Sequence, residues 1–247
     1  MKTILEICAG DAGSLEAGIL GGADRIEFCC ALPLGGLTPL PGIVRETKLR
    51  LGKPTPVNVL IRPREGDFLY SDAELDIFDE HMRQWLFEAD GLVVGALTAD
   101  GRVDERACRR FIAAADNKPL TFHRAIDQSR DPLEALRAVI DLGFARVLTS
   151  GGAPTAAEGI PMLEEMVKIA DGRIEIIAGG GVNPGNVARI IRETGVPAVH
   201  ASASHIVASG MIYRRAVSMA AGSDEYSRKV TDIQTVRELA ALVRSEE

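Results

Sequence analysis

The side chains most able to do chemistry stand one place out of step with apolar neighbours. Glu6 lies between Leu5 and Ile7, and Cys8 follows at the next alternate position. Arg25, Glu27 and Cys29 alternate with Ile26 and Phe28. Asn58, Leu60 and Arg62 alternate with Val57, Val59 and Ile61. Thr121 and His123 alternate with Leu120 and Phe122, and His200 and Ser202 with Val199 and Ala201. Successive side chains of a β-strand point to opposite faces, so each segment has one apolar face and one that carries acid, base or thiol groups. An isolated buried charge costs several kcal/mol, so charges of both signs sent into one interior must pair with each other or with a ligand. A self-contained network of Glu6 and Glu27 against Arg25 and Arg62 is one outcome. Glu6, Glu27, Arg62, His123 and His200 come from five segments, and that convergence favours a ligand site.

The chemistry on offer is acid–base and anion binding. Glu6, Glu27 and His123 are candidate proton donors and acceptors, and His123 has Asp127 close by in His123-Arg124-Ala125-Ile126-Asp127. Arg62 and Arg64 flank Pro63, a spacing that turns both to one face, where they could fork onto a carboxylate or phosphate. Phe68 and Tyr70 could wall such a pocket. A structured loop with Arg64 on Asp67 is the alternative. Thr149-Ser150-Gly151-Gly152 and Ala178-Gly179-Gly180-Gly181 are small-residue turns that let backbone N–H groups approach an anion. Glycines at tight strand-to-helix turns explain them equally well. The candidate anion- or substrate-binding set is Arg25, Asn58, Arg62, Arg64, Arg124, Asp127, Ser150, Gly151, Gly180, Gly181, His200 and Ser202.

These residues need a scaffold that brings distant segments together. Strand-like runs occur at Ile4–Cys8, Asp24–Cys29, Val57–Arg62, Gly91–Gly95, Leu120–His123, Ala145–Thr149, Ile174–Ala178 and Ala198–Ser202. Each precedes a helical pattern, and such an order implies a parallel sheet. Ser71–Glu74, Thr155–Glu158 and Thr231–Gln234 read as capping boxes. Asp131-Pro132 and Asn183-Pro184 read as caps before a proline at the first helical position. Leu75, Phe78, Met82 and Leu86 recur at helical spacing and should face the sheet. Long loops are expected from Cys30 to Pro41 and from Ala203 to about Val230. Eight units in 247 residues match an α/β fold of the single (β/α)8 TIM-barrel type, one domain over 1–247, with its site at the C-terminal strand ends. A doubly wound open sheet is the rival, which the count disfavours.

A net charge of −7 argues against a broad electrostatic grip on nucleic acid or an anionic membrane. No segment reaches the roughly 18 unbroken apolar residues of a spanning helix. Glu6 ends the apolar start at once, unlike a signal peptide, so a soluble, cytoplasmic protein is expected. Cys8, Cys29, Cys30 and Cys108 form no C-x-x-C pair, and reduced thiols are the default there. No organic cofactor motif is present.

Several long strings resemble the CutC family, named for copper homeostasis. They are Leu5-Glu6-Ile7-Cys8, Gly22 to Cys29, Gly35-Gly36-Leu37-Thr38-Pro39, Ile61-Arg62-Pro63-Arg64 with Gly66 to Asp72, Thr121 to Ala125, and Arg146 to Gly151. The likeness continues through Gly179-Gly180-Gly181 and Glu225-Tyr226-Ser227 and covers nearly the whole chain. It implies a cytoplasmic (β/α)8 barrel, a homodimer, and a role in copper handling with no established reaction. It also implies copper ligands at Cys8 and Cys29, where soft thiolates would suit Cu(I). Two functions therefore stand: a Cu(I)-binding homeostasis protein, and a lyase- or isomerase-type barrel enzyme acting on a small anionic or phosphorylated metabolite. A noncatalytic sensor would share the same pocket.

Overall fold

The computed structural model describes residues 2–219 and 224–246, and its eight parallel strands close into a barrel in chain order. They are β1 (Ile4–Ala9), β2 (Arg25–Phe28), β3 (Val57–Leu60), β4 (Gly91–Val94), β5 (Leu120–Phe122), β6 (Arg146–Thr149), β7 (Glu175–Gly179) and β8 (Ala198–Ala201). β8 pairs back onto β1, so Glu6 has Arg25 of β2 on one side and His200 of β8 on the other. Arg62, His123 and Ser202 fall just beyond their strands. The ladder still carries the chain there, because Ile61 N–H donates to Val93 and His123 N–H to Val94.

Period two sorts the two faces as expected. Leu5, Ile7, Ile26, Phe28, Val57, Val59, Leu120, Phe122 and Val199 are buried in the layer between strands and helices. Each such burial contributes roughly 1.5–3 kcal/mol. Cys8, Cys29, Leu60 and Val93 form a separate cluster, as do Leu148, Ile177 and Ala198. The interior is thus mixed, apolar in places and charged in others.

The helices are α1 (Ala12–Gly21), α2 (Ile43–Leu51), α3 (Asp72–Trp85), α4 (Glu105–Ala114), α5 (Pro132–Asp141), α6 (Ile160–Ala170), α7 (Val187–Thr194) and α8 (Ile233–Ser245). The Ser71–Glu74 box caps α3, and Asp131 with Pro132 opens α5. Three expected starts move. Thr231 is spent in a strand, so Asp232 caps α8. Thr155–Glu158 closes a turn, and α6 begins only at Ile160. The chain first doubles back against the end of β6, where a Cβ on Gly159 would lie 1.8 Å from the Ser150 carbonyl oxygen. Asn183 likewise holds a turn, accepting from Gly185 N–H, and α7 begins at Val187. Leu86 ends α3 half-buried, while Trp85 is fully buried and donates to the Pro39 carbonyl.

The segment expected as a loop from Ala203 to Val230 contains an antiparallel ribbon. Its strands are β9 (Ser204–Ala208) and β10 (Ser227–Thr231), and residues 220–223 lie outside the described residues. Both strands are largely exposed and have no apolar face, so alternation could not reveal them. The Cys30–Pro41 segment folds as a 3-10 turn at Leu32–Leu34 with a bridge between Cys30 and Leu37.

Phe78 of α3 is fully buried, with its ring 4.6 Å from Phe111 and 4.8 Å from Tyr70. Phe78→Ala should cost about 3–5 kcal/mol of stability. Urea denaturation followed by the fluorescence of Trp85, the one tryptophan of the chain, measures it. A loss under about 1 kcal/mol would mean that the helix layer is not packed in this way.

Candidate functional site at the barrel mouth

A cavity of about 820 Å³ opens at the C-terminal ends of the strands. Cys8, Glu27, Arg62, His123 and His200 line it, with Arg124, Asp127, Gly180, Gly181 and Ser202 around them. Phe68, Leu32, Leu34, Leu60 and Leu148 supply apolar wall. Of the residues singled out by sequence, Glu6, Arg25, Asn58, Arg64, Ser150, Gly151 and Cys29 do not line it.

Glu6 and Arg25 belong to an ion network beside the cavity. Arg25 Nε donates to Glu6 Oε2 at 2.5 Å, and His200 Nδ1 meets Glu6 Oε1 at 2.8 Å. Arg25 Nη2 donates to Glu175 Oε1 at 2.6 Å, and Arg146 Nε lies 3.7 Å from the same oxygen. The self-contained network is therefore real for Glu6 and Arg25, but it recruits Glu175 and His200 and leaves out Glu27 and Arg62. Glu175 and Arg146 were missed, yet both alternate with apolar neighbours on β7 and β6, so the same period-two signal could have found them.

The two interior glutamates end in opposite electrostatic states. Burial alone would raise the Glu6 pKa, but the hydrogen bond to His200 and the charge of Arg25 outweigh it and hold Glu6 down at about 2. Burial raises Glu27 to about 6, helped by the charge of Glu6 and opposed by His200. Burial also opposes charge on His200, but Glu6 and Glu27 together raise its pKa. Glu27 Oε1 accepts from Cys8 Sγ at 3.8 Å, and its Oε2 is buried with no hydrogen-bond partner among the described residues. Carboxyls whose environments push them apart can serve as acid and base in one site.

The other side of the mouth is cationic. Arg62 donates to the carbonyl oxygens of Leu34, Gly36 and Gly66 at 2.9, 3.0 and 2.8 Å. Its Cζ stands 5.2 Å from the Phe68 ring centroid, and the His123 ring is 4.9 Å from the same ring. Gly95 makes room for His123, since a Cβ there would come within 2.6 Å of the imidazole. His123 Nδ1 accepts from Ala125 N–H at 3.1 Å, which puts the proton of the neutral ring on Nε2. Arg124 binds Asp127 at 2.7 Å and Ser150 Oγ at 2.8 Å, and Asp127 also accepts from Thr149 and from Ser150 and Gly152 N–H. His123 and Asp127 do not touch each other. Arg64 leaves the face it was expected to share with Arg62 and pairs with Glu74 and Asp67. Tyr70 is buried against Phe78 and does not wall the cavity. Asn58 is buried beside Glu27 in the ladder, and Gly151 N–H donates to Thr149 Oγ1.

The thiols meet at the edge of this site. Cys8 Sγ lies 3.8 Å from Cys29 Sγ. The donor atoms of Cys8, Glu27 and His200 all fall within 4.8 Å of one another. Cys8 thus belongs to a thiol pair and to a mixed S/O/N cluster. Its hydrogen bond with Cys29, its burial and the nearby carboxylates raise its pKa well above the ordinary thiol value. Cys30 donates to backbone carbonyls, and Cys108 is buried on α4.

A model of the CutC family matches residues 3–206. A copper homeostasis protein cutC homolog of Homo sapiens is 42% identical over 98% of this chain and 89% of its own length. A CutC family protein of Parabacteroides distasonis is 44% identical over 96% of this chain and 98% of its own. A crystal structure described as CutC of Streptococcus agalactiae superposes with a TM-score of 0.76 at 34% identity, covering 81% of this chain and 98% of that one.

Burial first, then the charge of Arg62, lower the His123 pKa from 6.5 to about 3. Between those values the unfolded chain takes up a proton that the folded chain refuses. Stability is therefore full above about pH 6.5 and falls as pH drops towards 3. At pH ~4 the deficit reaches about 3 kcal/mol. His123→Asn, whose Oδ1 can still accept from Ala125 N–H, should remove this part of the acid sensitivity. Denaturant unfolding of both proteins at neutral and at acid pH tests it, and equal losses in the two would contradict a buried neutral imidazole.

Proposed function

Because the chain belongs to the CutC family, we propose that it binds Cu(I) as cargo at the barrel mouth, on the thiolates of Cys8 and Cys29. The observation that carries this reading is the 3.8 Å approach of the two sulfurs beside Glu27 and His200. Soft thiolates suit Cu(I) better than any other side chains in the interior. Twice a metal–sulfur bond of about 2.3 Å exceeds the sulfur separation, so an ion held by both lies off the line between them. That leaves it open to a third donor, and Glu27 and His200 are the neighbours of Cys8.

Glu6 fits this role as the support of a ligand. It engages His200 at Nδ1 and leaves Nε2 as the free nitrogen of the ring. A carboxylate on the far nitrogen is the usual partner of a metal-binding imidazole, fixing its orientation and tautomer. Both thiols bind metal only after losing protons, so Cu(I) uptake should release protons and weaken as pH falls. The reading places the protein in the reducing cytoplasm, where the pair stays free of disulfide. No helix among the described residues is long and apolar enough to cross a membrane.

Under reducing conditions the protein should take up Cu(I) stoichiometrically in competition with a chromophoric Cu(I) chelator. Cys8→Ser with Cys29→Ser should abolish that uptake, whereas Cys108→Ser should leave it intact. Glu6→Gln should weaken it by about 10- to 100-fold through His200. Wild-type affinity in the double variant would rule out this site.

A further inference from the structure

The mouth holds more than a soft cation needs. Its cavity of about 820 Å³ has the dimensions of a pocket for a small organic molecule. Arg62 and His123 line it on the cationic side, and neither offers a sulfur or an anionic oxygen to copper.

Arg62 is only 6% exposed, and among the described residues it makes no ion pair. Its two Nη atoms are aimed by three backbone carbonyls, which orient the guanidinium without cancelling its charge. Its Nε is buried near the Tyr70 hydroxyl, and among the described residues neither atom makes a hydrogen bond of good geometry. The carboxylates that might neutralise it are occupied elsewhere. Asp127 serves Arg124 and the loop after β6, Glu74 and Asp67 serve Arg64, and Glu6 serves Arg25 and His200. The electrostatics of Glu27 are set by His200, Glu6 and Arg25. A buried cation of this kind costs several kcal/mol unless an anion comes to it.

His123 makes the same demand. It is 5% exposed, and its Nε2, which carries the proton, is buried with no hydrogen-bond partner among the described residues. The guanidinium and the imidazole pack on one aromatic ring, Phe68, and both residues line the cavity. Leu32, Leu34, Leu60 and Leu148 complete the lining with hydrocarbon, which suits a ligand with a carbon body rather than a bare inorganic ion.

We propose that the barrel mouth binds a small organic oxyanion, a carboxylate or phosphate ester with a short apolar body, whose charged end is received by Arg62 and His123. A planar guanidinium beside a neutral N–H donor matches the paired oxygens of either group. This seat shares the cavity with Cys8 but uses other residues, and its test uses no copper.

Copper-free full-length protein is titrated with glycerol 3-phosphate and with benzoate, and in parallel with the neutral counterparts glycerol and benzyl alcohol. At least one anion should raise the unfolding temperature by about 3 °C or more while its neutral counterpart does not. A response to the ester alone assigns a phosphate, and a response to benzoate alone assigns a carboxylate. Arg62→Met should lose the response, but Arg62 also ties two loops, so that variant can fail to fold. His123→Asn carries the test in that case and should weaken the responding anion by about tenfold in calorimetry. The proposal is overturned if neither anion stabilises more than its neutral counterpart, or if His123→Asn binds the anion with wild-type affinity.

Discussion

A carboxylate buried at the seam of the barrel must be neutralised, and the way this is done for Glu6 organises the interior. Arg25 reaches it from β2 and His200 from β8, the strand that closes the cylinder. Removing one partner of such a buried set commonly costs about 3–5 kcal/mol, because the remaining charge is left uncompensated. The network thus helps fix the register at closure. It continues through Arg25 across the interior to Glu175 of β7 and Arg146 of β6.

Spending Arg25 and His200 on Glu6 determines what is left for the mouth. Glu27 receives no full counter-charge, so burial raises it towards neutrality and it turns to the thiol of Cys8. Glu6 in turn sets the proton position on His200. One half of the mouth is therefore an acid, thiol and imidazole cluster. The other half holds Arg62 and a neutral His123 on Phe68, and its one lining carboxylate among the described residues, Asp127, is paired with Arg124. This separation gives the mouth two distinct chemistries.

The loops supply precision more than charge. Arg62 is aimed because the turn after β2 and the loop after β3 both present carbonyls to it. Gly36 permits the approach: its φ is 89°, and a Cβ there would come within 2.7 Å of Leu60 Cδ2. Asp127 fastens the end of β6 through Thr149, Ser150 and Gly152, so Arg124 stands on a braced platform. The ribbon of β9 and β10 is tied back by Thr231 N–H to Ser14 Oγ.

The sequence by itself determined the eight barrel strands, their faces and the family, because those rest on next-neighbour alternation and on long unbroken strings. Leu5 and Ile7 outward with Glu6 and Cys8 inward is a statement about four consecutive residues, and the structure agrees. Helix starts after β6 and β7 were less legible, since turns with good capping residues intervene before the helices begin. Only the tertiary structure decided who pairs with whom. Glu6 and His200 are 194 residues apart, and Arg25 and Glu175 are 150 apart. Their meeting depends on register around a closed sheet, which no local pattern encodes. The same closure divided the inward residues, placing Glu6 and Arg25 in a buried network, Cys8 and Glu27 at the cavity, and Arg62 with His123 on the wall around Phe68.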